Sequence, residues 1–109
     1  MRNGVYRVWI RGLGRPFAGV AALKDGELFA ADRQFVYNGR ASERGGWLTA
    51  AVKIKRIYND APSALFTGTE CMHVNLAGAT GREFAQLSGT IEEAPSASLA
   101  VEFAFLCEA

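Results

Sequence analysis

His73 is the only histidine in the chain, and Cys71, two residues before it, is one of only two thiols. A transition-metal site asks for three or four N, S or O donors that converge on one point. No second histidine, cysteine or carboxylate stands around His73 at the short spacings such sites use, and further ligands would have to come from distant strands. The pattern reads as an ordinary strand histidine, and no metal ligand is assigned. Ser63, Ser88 and Ser96 occupy no G-x-S-x-G elbow, the strand-to-helix turn that would expose a nucleophile. Glu92 and Glu93 are the one carboxylate pair; as neighbours on a strand end they would point to opposite faces, a poor arrangement for acid–base work. Gly12-Leu-Gly14 lacks the later glycine and the helix of a phosphate loop. The residues spell no reaction, and the expectation is a protein that is not an enzyme and needs no cofactor.

The elements that carry these residues can be read with more force. At 109 residues, half of them apolar and with a net charge of +1, the chain fits one domain over residues 1–109 with a single core. That balance gives no whole-domain bias toward nucleic acid or acidic membranes. Cys71 and Cys107 lack CxxC spacing, so two free, buried thiols in a reducing compartment are expected. The stretch Met1–Ile10 is too short and too charged for a secretory h-region, and no apolar run approaches the ~20 residues that span a bilayer. These features give a cytoplasmic expectation with no membrane partner.

Alternation supplies the strands. Residues 18–41 hold apolar runs on either side of Asp25-Gly26, a dipeptide that readily takes the positive φ angles of a tight hairpin. A second break at Asp32-Arg33-Gln34 makes this stretch a three-stranded meander. The other expected strands are Val5–Arg11, Trp47–Ile57 (the longest), Thr67–Leu76, Glu83–Glu92 and Ser98–Cys107. Their loops fall at Gly12–Pro16, Glu43–Gly46, Ala77–Arg82 and Glu93–Ala97. In the long connection Tyr58–Phe66, Asn59 and Asp60 are good caps and Pro62 suits a first turn, so at most one short helix is expected near residues 60–66. About eight strands at regular spacing with tight sequential turns predict an all-β fold. The architecture expected is a single antiparallel up-and-down β-barrel, lipocalin-like, whose closure removes its edges.

A barrel of about eight strands is filled by side chains or holds one small ligand. The inferred inner face mixes small residues with large ones, which favours a filled core. If it is hollow, a small apolar ligand would meet Tyr6, Ala21, Phe35, Tyr37, Met72, Val101 and Phe103. The outer face carries unusual apolar bulk at Trp9, Val20, Phe29, Val36, Trp47, Phe84 and Leu106, the pattern of a dimer or partner surface. A homodimer is expected from it. Lys53, Lys55 and Arg56 with Arg7, Arg11 and Arg40 are better read as a solvated face than as a nucleic-acid platform with Trp9 and Trp47.

The segments Asn3–Val8, Gly19–Glu27, Ala31-Asp32 and Tyr37–Arg40 in this order, with Lys53–Arg56 and Pro62–Phe66 after them, resemble the GrlR-like family. Its members are described as negative regulators of type III secretion. The resemblance implies a lipocalin-like barrel, a homodimer, and regulation through binding a transcriptional activator rather than DNA. It also implies an acidic partner-binding loop of sequence Glu-Asp-Glu-Asp. The matching segment here, Ser42–Gly46, keeps one acid, Glu43, followed by a base. Electrostatic complementarity selects partners, so this departure points to a different partner.

Overall fold

Period-two alternation places one apolar face of each strand inward, and eight such strands satisfy one another by closing into a ring. The computed structural model describes residues 1–12, 17–32, 35–57 and 71–109. In it, β1 (Gly4–Arg11), β2 (Phe17–Lys24), β3 (Glu27–Ala31), β4 (Phe35–Arg44), β5 (Trp47–Arg56), β6 (Cys71–Thr80), β7 (Phe84–Ile91) and β8 (Ala94–Cys107) follow one another round a closed barrel. Every neighbouring pair is antiparallel, and β1 pairs with β8 from Val5↔Cys107 to Arg11↔Ala100 to complete the ring. The expected up-and-down barrel is what forms. The expected helix near residues 60–66 and the expected strand start at Thr67 lie outside the described residues.

Two turns follow directly from residue chemistry. Asp25 and Gly26 both take positive φ, 51° and 83°, as do Gly45 and Gly46 at 59° and 79°. Two consecutive positive φ values make the primed turn whose twist matches its flanking strands. Asn3 steadies the first of these turns: its Oδ1 accepts from the Asp25 N–H at 2.9 Å, and its Nδ2 donates to Asp25 Oδ1 at 3.1 Å.

Three expected boundaries move. Glu43 and Arg44 belong to β4, because Gly45-Gly46 alone makes the turn. Ala77–Thr80 continue β6 rather than forming a loop, and the chain reverses over Gly81–Glu83. Gly78 sits there for space: a Cβ on it would come within 1.9 Å of the Gln86 carbonyl oxygen across the ladder. The last strand starts at Ala94, not Ser98, and with 14 residues it replaces β5 as the longest. It does so through a register shift: Thr90 pairs with Ser98 but Ile91 with Ala94, leaving Pro95–Ala97 as an irregularity. A proline without an N–H is tolerated at such a bulge.

The core is one cluster inside the barrel, with Tyr6, Met72 and Ile91 fully enclosed. Burying side chains of this size contributes about 1.5–3 kcal/mol each. Thr80, the buried polar residue, donates its hydroxyl to the Phe84 carbonyl at 2.8 Å. Among the described residues no buried side-chain polar atom lacks a partner. No described helix is long and apolar enough to cross a membrane, which says nothing of strands.

Candidate functional site

The interior is mostly filled, yet a cavity of about 180 Å³ remains toward β2, β3 and β4. Of the seven inward residues expected to meet a ligand, Ala21, Tyr37, Val101 and Phe103 line it. Tyr6 and Met72 are closed off in the core, and Phe35 packs beside Tyr37, with ring centroids 6.3 Å apart at 64°. Val20 and Phe29, expected only on the outer face, border the cavity as well.

That mixing has a cause in the sheet. Among the described residues, the β2–β3 ladder runs from Lys24↔Glu27 to Ala21↔Ala30, while β2 itself begins four residues earlier at Phe17. The cavity lining continues past the end of this ladder to Ala18, Val20, Ala31 and Asp32. The end of this ladder therefore adjoins the hollow.

The lining is apolar apart from Asp32 and Tyr37. Asp32 is held in place by two donors. The Phe35 N–H reaches its Oδ1 at 2.8 Å, and the Tyr37 hydroxyl reaches its Oδ2 at 2.9 Å. Burial, and then the hydrogen bond to this carboxylate, push the Tyr37 hydroxyl far above its usual range. It stays a neutral donor at any ordinary pH. The arrangement can therefore hold a small apolar body with one polar edge facing a fixed carboxylate.

The outward apolar residues divide into two groups. Trp9 stands opposite Ala18, Val20 opposite Arg7, Phe29 opposite Ala22, and Val36 opposite Ala31, so these four lie on the connected outer face of β1–β4. Trp47, Phe84 and Leu106 lie on β5, β7 and β8, and the cross-strand row from Trp47 to Trp9 passes Ala79, Gln86 and Glu102. Trp9 is 38% exposed and Phe29 53%. Three of the basic residues have partners: Arg11 pairs with Glu102 and Arg40 with Glu27, each at 3.1 Å, and the Arg7 guanidinium lies over the Trp9 ring at 5.4 Å.

No family model matches the chain, and no curated protein matches it. Glu43, the acid retained in the partner-loop segment, lies at the end of β4 and accepts from the Met1 amino group. No disulfide joins the cysteines, as expected, but neither is buried: Cys71 is half-buried and Cys107 exposed.

A second polar site escaped the sequence. Glu92 and Glu93 are the two residues of the turn between Ile91 and Ala94, where strand alternation no longer holds. Instead of parting, both carboxylates gather beside His73, with one donor atom from each residue all within 4.8 Å of one another. The Glu92 N–H donates to the His73 carbonyl at 2.8 Å, extending the β6–β7 ladder by one bond. Glu93 Oε1 accepts from the His73 N–H at 2.7 Å, and its Oε2 lies 2.6 Å from His73 Nδ1. These two bonds, the side-chain one first, hold the Glu93 carboxyl below its ordinary range. His73 is twenty residues from Glu93, and the only sequence signal was the acidic pair itself.

Proposed function

We propose that this protein is a binding protein whose barrel interior takes one small, largely apolar ligand. The cavity of about 180 Å³ beside the short β2–β3 ladder carries this reading. An apolar cavity of about 150 Å³ stays dry and takes benzene, so the natural guest has roughly six to ten non-hydrogen atoms. Asp32 gives it a direction: a donor such as an indole N–H or a phenol hydroxyl would face the carboxylate. A long fatty chain would not fit.

The test is titration with benzene, phenol and indole followed by protein NMR, alongside native mass spectrometry of the purified protein before and after denaturation. Saturable shifts confined to the lining, or a small adduct lost on denaturation, are expected. Ala21→Phe should abolish uptake while the fold survives. Ala30→Leu, a gentler filling on the paired strand, should weaken uptake in the same direction. Undiminished uptake with the cavity filled would remove the reading.

A second reading is favoured by the outer face of β1–β4, where Trp9, Val20 and Phe29 lie together. It is regulation through protein–protein contact, as the resemblance to GrlR-like negative regulators implies, with a homodimer built on that face. The two readings are compatible. Val20 and Phe29 border both the cavity and the outer surface, so an occupant could alter what docks outside.

A further inference from the structure

We propose that His73, Glu92 and Glu93 form a binding site for a divalent transition-metal ion, with Zn²⁺ the best match. The three donors are one imidazole nitrogen and two carboxylate oxygens, a borderline set that suits zinc better than the all-oxygen cages of calcium or magnesium. At zinc–ligand lengths of about 2.0–2.2 Å, donors on one ion stand roughly 3–3.5 Å apart. The present spread is within 4.8 Å, and all three side chains are exposed, so rotation about their own bonds is open to them.

The frame for such a site exists without the ion. The turn is fixed to β6 by the bond from the Glu92 N–H to the His73 carbonyl. Each carboxylate has one oxygen committed to the protein. Glu93 Oε1 takes the His73 N–H, and Glu92 Oε1 takes Asn75 Nδ2 at 3.0 Å. Oε2 of each would be the ligand atom. Glu93 Oε2 already meets His73 Nδ1 at 2.6 Å, so an ion would enter where a hydrogen now bridges the two, with the imidazole carrying its proton on Nε2. Asn75 plays the orienting part that outer-sphere groups play around metals. One feature works against a cation: Lys53 on β5 is the cross-strand neighbour of His73. Its charge offsets one of the two carboxylates and lowers affinity without abolishing it. Three protein donors leave a fourth position, which water or a partner's donor would fill.

The competing account is that Glu93 merely fastens the turn to His73 and no ion is held. Zinc titration of the purified chain against a chromophoric chelator, with cobalt absorption as a second readout, separates the two. One ion per chain is expected. Glu92→Gln is the deciding variant, because this exposed side chain keeps an acceptor for Asn75 and the fold does not depend on its charge. It should weaken zinc by roughly tenfold or more, as should His73→Ala, and Asn75→Ala by roughly tenfold. Lys53→Gln should tighten binding. Cys71→Ser and Cys107→Ser should leave it unchanged. Equal affinity in the wild type and Glu92→Gln would overturn the site, as would binding lost on removal of a cysteine alone.

Discussion

Among the described residues two tyrosine hydroxyls sit inside the barrel, and their surroundings differ. Tyr6 donates to the backbone carbonyl of Arg2, and its ring meets Phe103 and Phe105 edge-on at 6.3 and 5.5 Å. Tyr37 donates to a carboxylate. Burial raises the pKa of both hydroxyls, and at Tyr37 the hydrogen bond to Asp32 and its negative charge raise it further. The sign of the consequence is fixed by linkage. Above the ordinary tyrosine value of 10.0 the unfolded chain loses protons that the folded chain keeps, so stability is whole below that pH and declines as pH rises past it. Denaturant titrations from neutral to strongly alkaline pH should show this fall, and Tyr37→Phe should make it shallower. An unchanged slope in Tyr37→Phe would mean that its hydroxyl ionises in the folded state as it does in the unfolded one. At this scale the sequence was only partly informative. The inward face of Tyr6 and Tyr37 follows from alternation, whereas the meeting of His73 with Glu93 depends on a turn in which alternation fails.

Strands bend most where side chains are missing. Gly78 on β6 stands opposite Leu87, and Gly89 on β7 opposite Leu76. A Cβ at Gly89 would fall within 1.8 Å of the Asn75 carbonyl oxygen, the counterpart of the approach at Gly78. The two strands are thus pressed together where a small barrel must curve, a use of glycine familiar in curved sheets. Gly89→Ala should therefore destabilise the protein by about 1–3 kcal/mol, since the obstacle is backbone and cannot rotate aside. Chemical denaturation checks it, and a loss below the detection limit would show that the ladder can relax. The same glycines explain which element boundaries were legible. Asp25-Gly26 was recognisable as a turn because that dipeptide readily takes positive φ and apolar runs flank it on both sides. The Ala77–Arg82 stretch, small and glycine-bearing, gave the same signal although its first four residues are strand. Composition does not distinguish a glycine needed for positive φ from one needed for close approach.

For the whole molecule, strand number, order and closure could be read from spacing and turn chemistry, because each hairpin is a local decision. The cavity could not. It depends on where the β2–β3 ladder stops relative to residues from β5, β6 and β8, a long-range outcome that no single stretch encodes. The outer surface raises a question of assembly at the same scale. A stable dimer buries about 800 Å² per partner, and the β1–β4 face offers Trp9, Val20 and Phe29 toward that area. Trp9→Glu with Phe29→Glu should shift a sedimentation profile from dimer to monomer, because two desolvated carboxylates would oppose burial. A wild type already monomeric at micromolar concentration, or a double variant that still dimerises, would move the interface elsewhere.

Closure through β1 and β8 also places the first and last strands side by side, with Val5 beside Cys107. In effect the backbone is a ring cut at one ladder, and that ladder is the most distant pairing in the chain. Its loop-closure entropy must be met before its contacts form, which slows folding in proteins of such topology. A circular permutant that joins the present ends by a short linker and opens the Gly45-Gly46 turn would make the β1–β8 pairing local and β4–β5 the distant one. The same native barrel would then be reached by a different order of events.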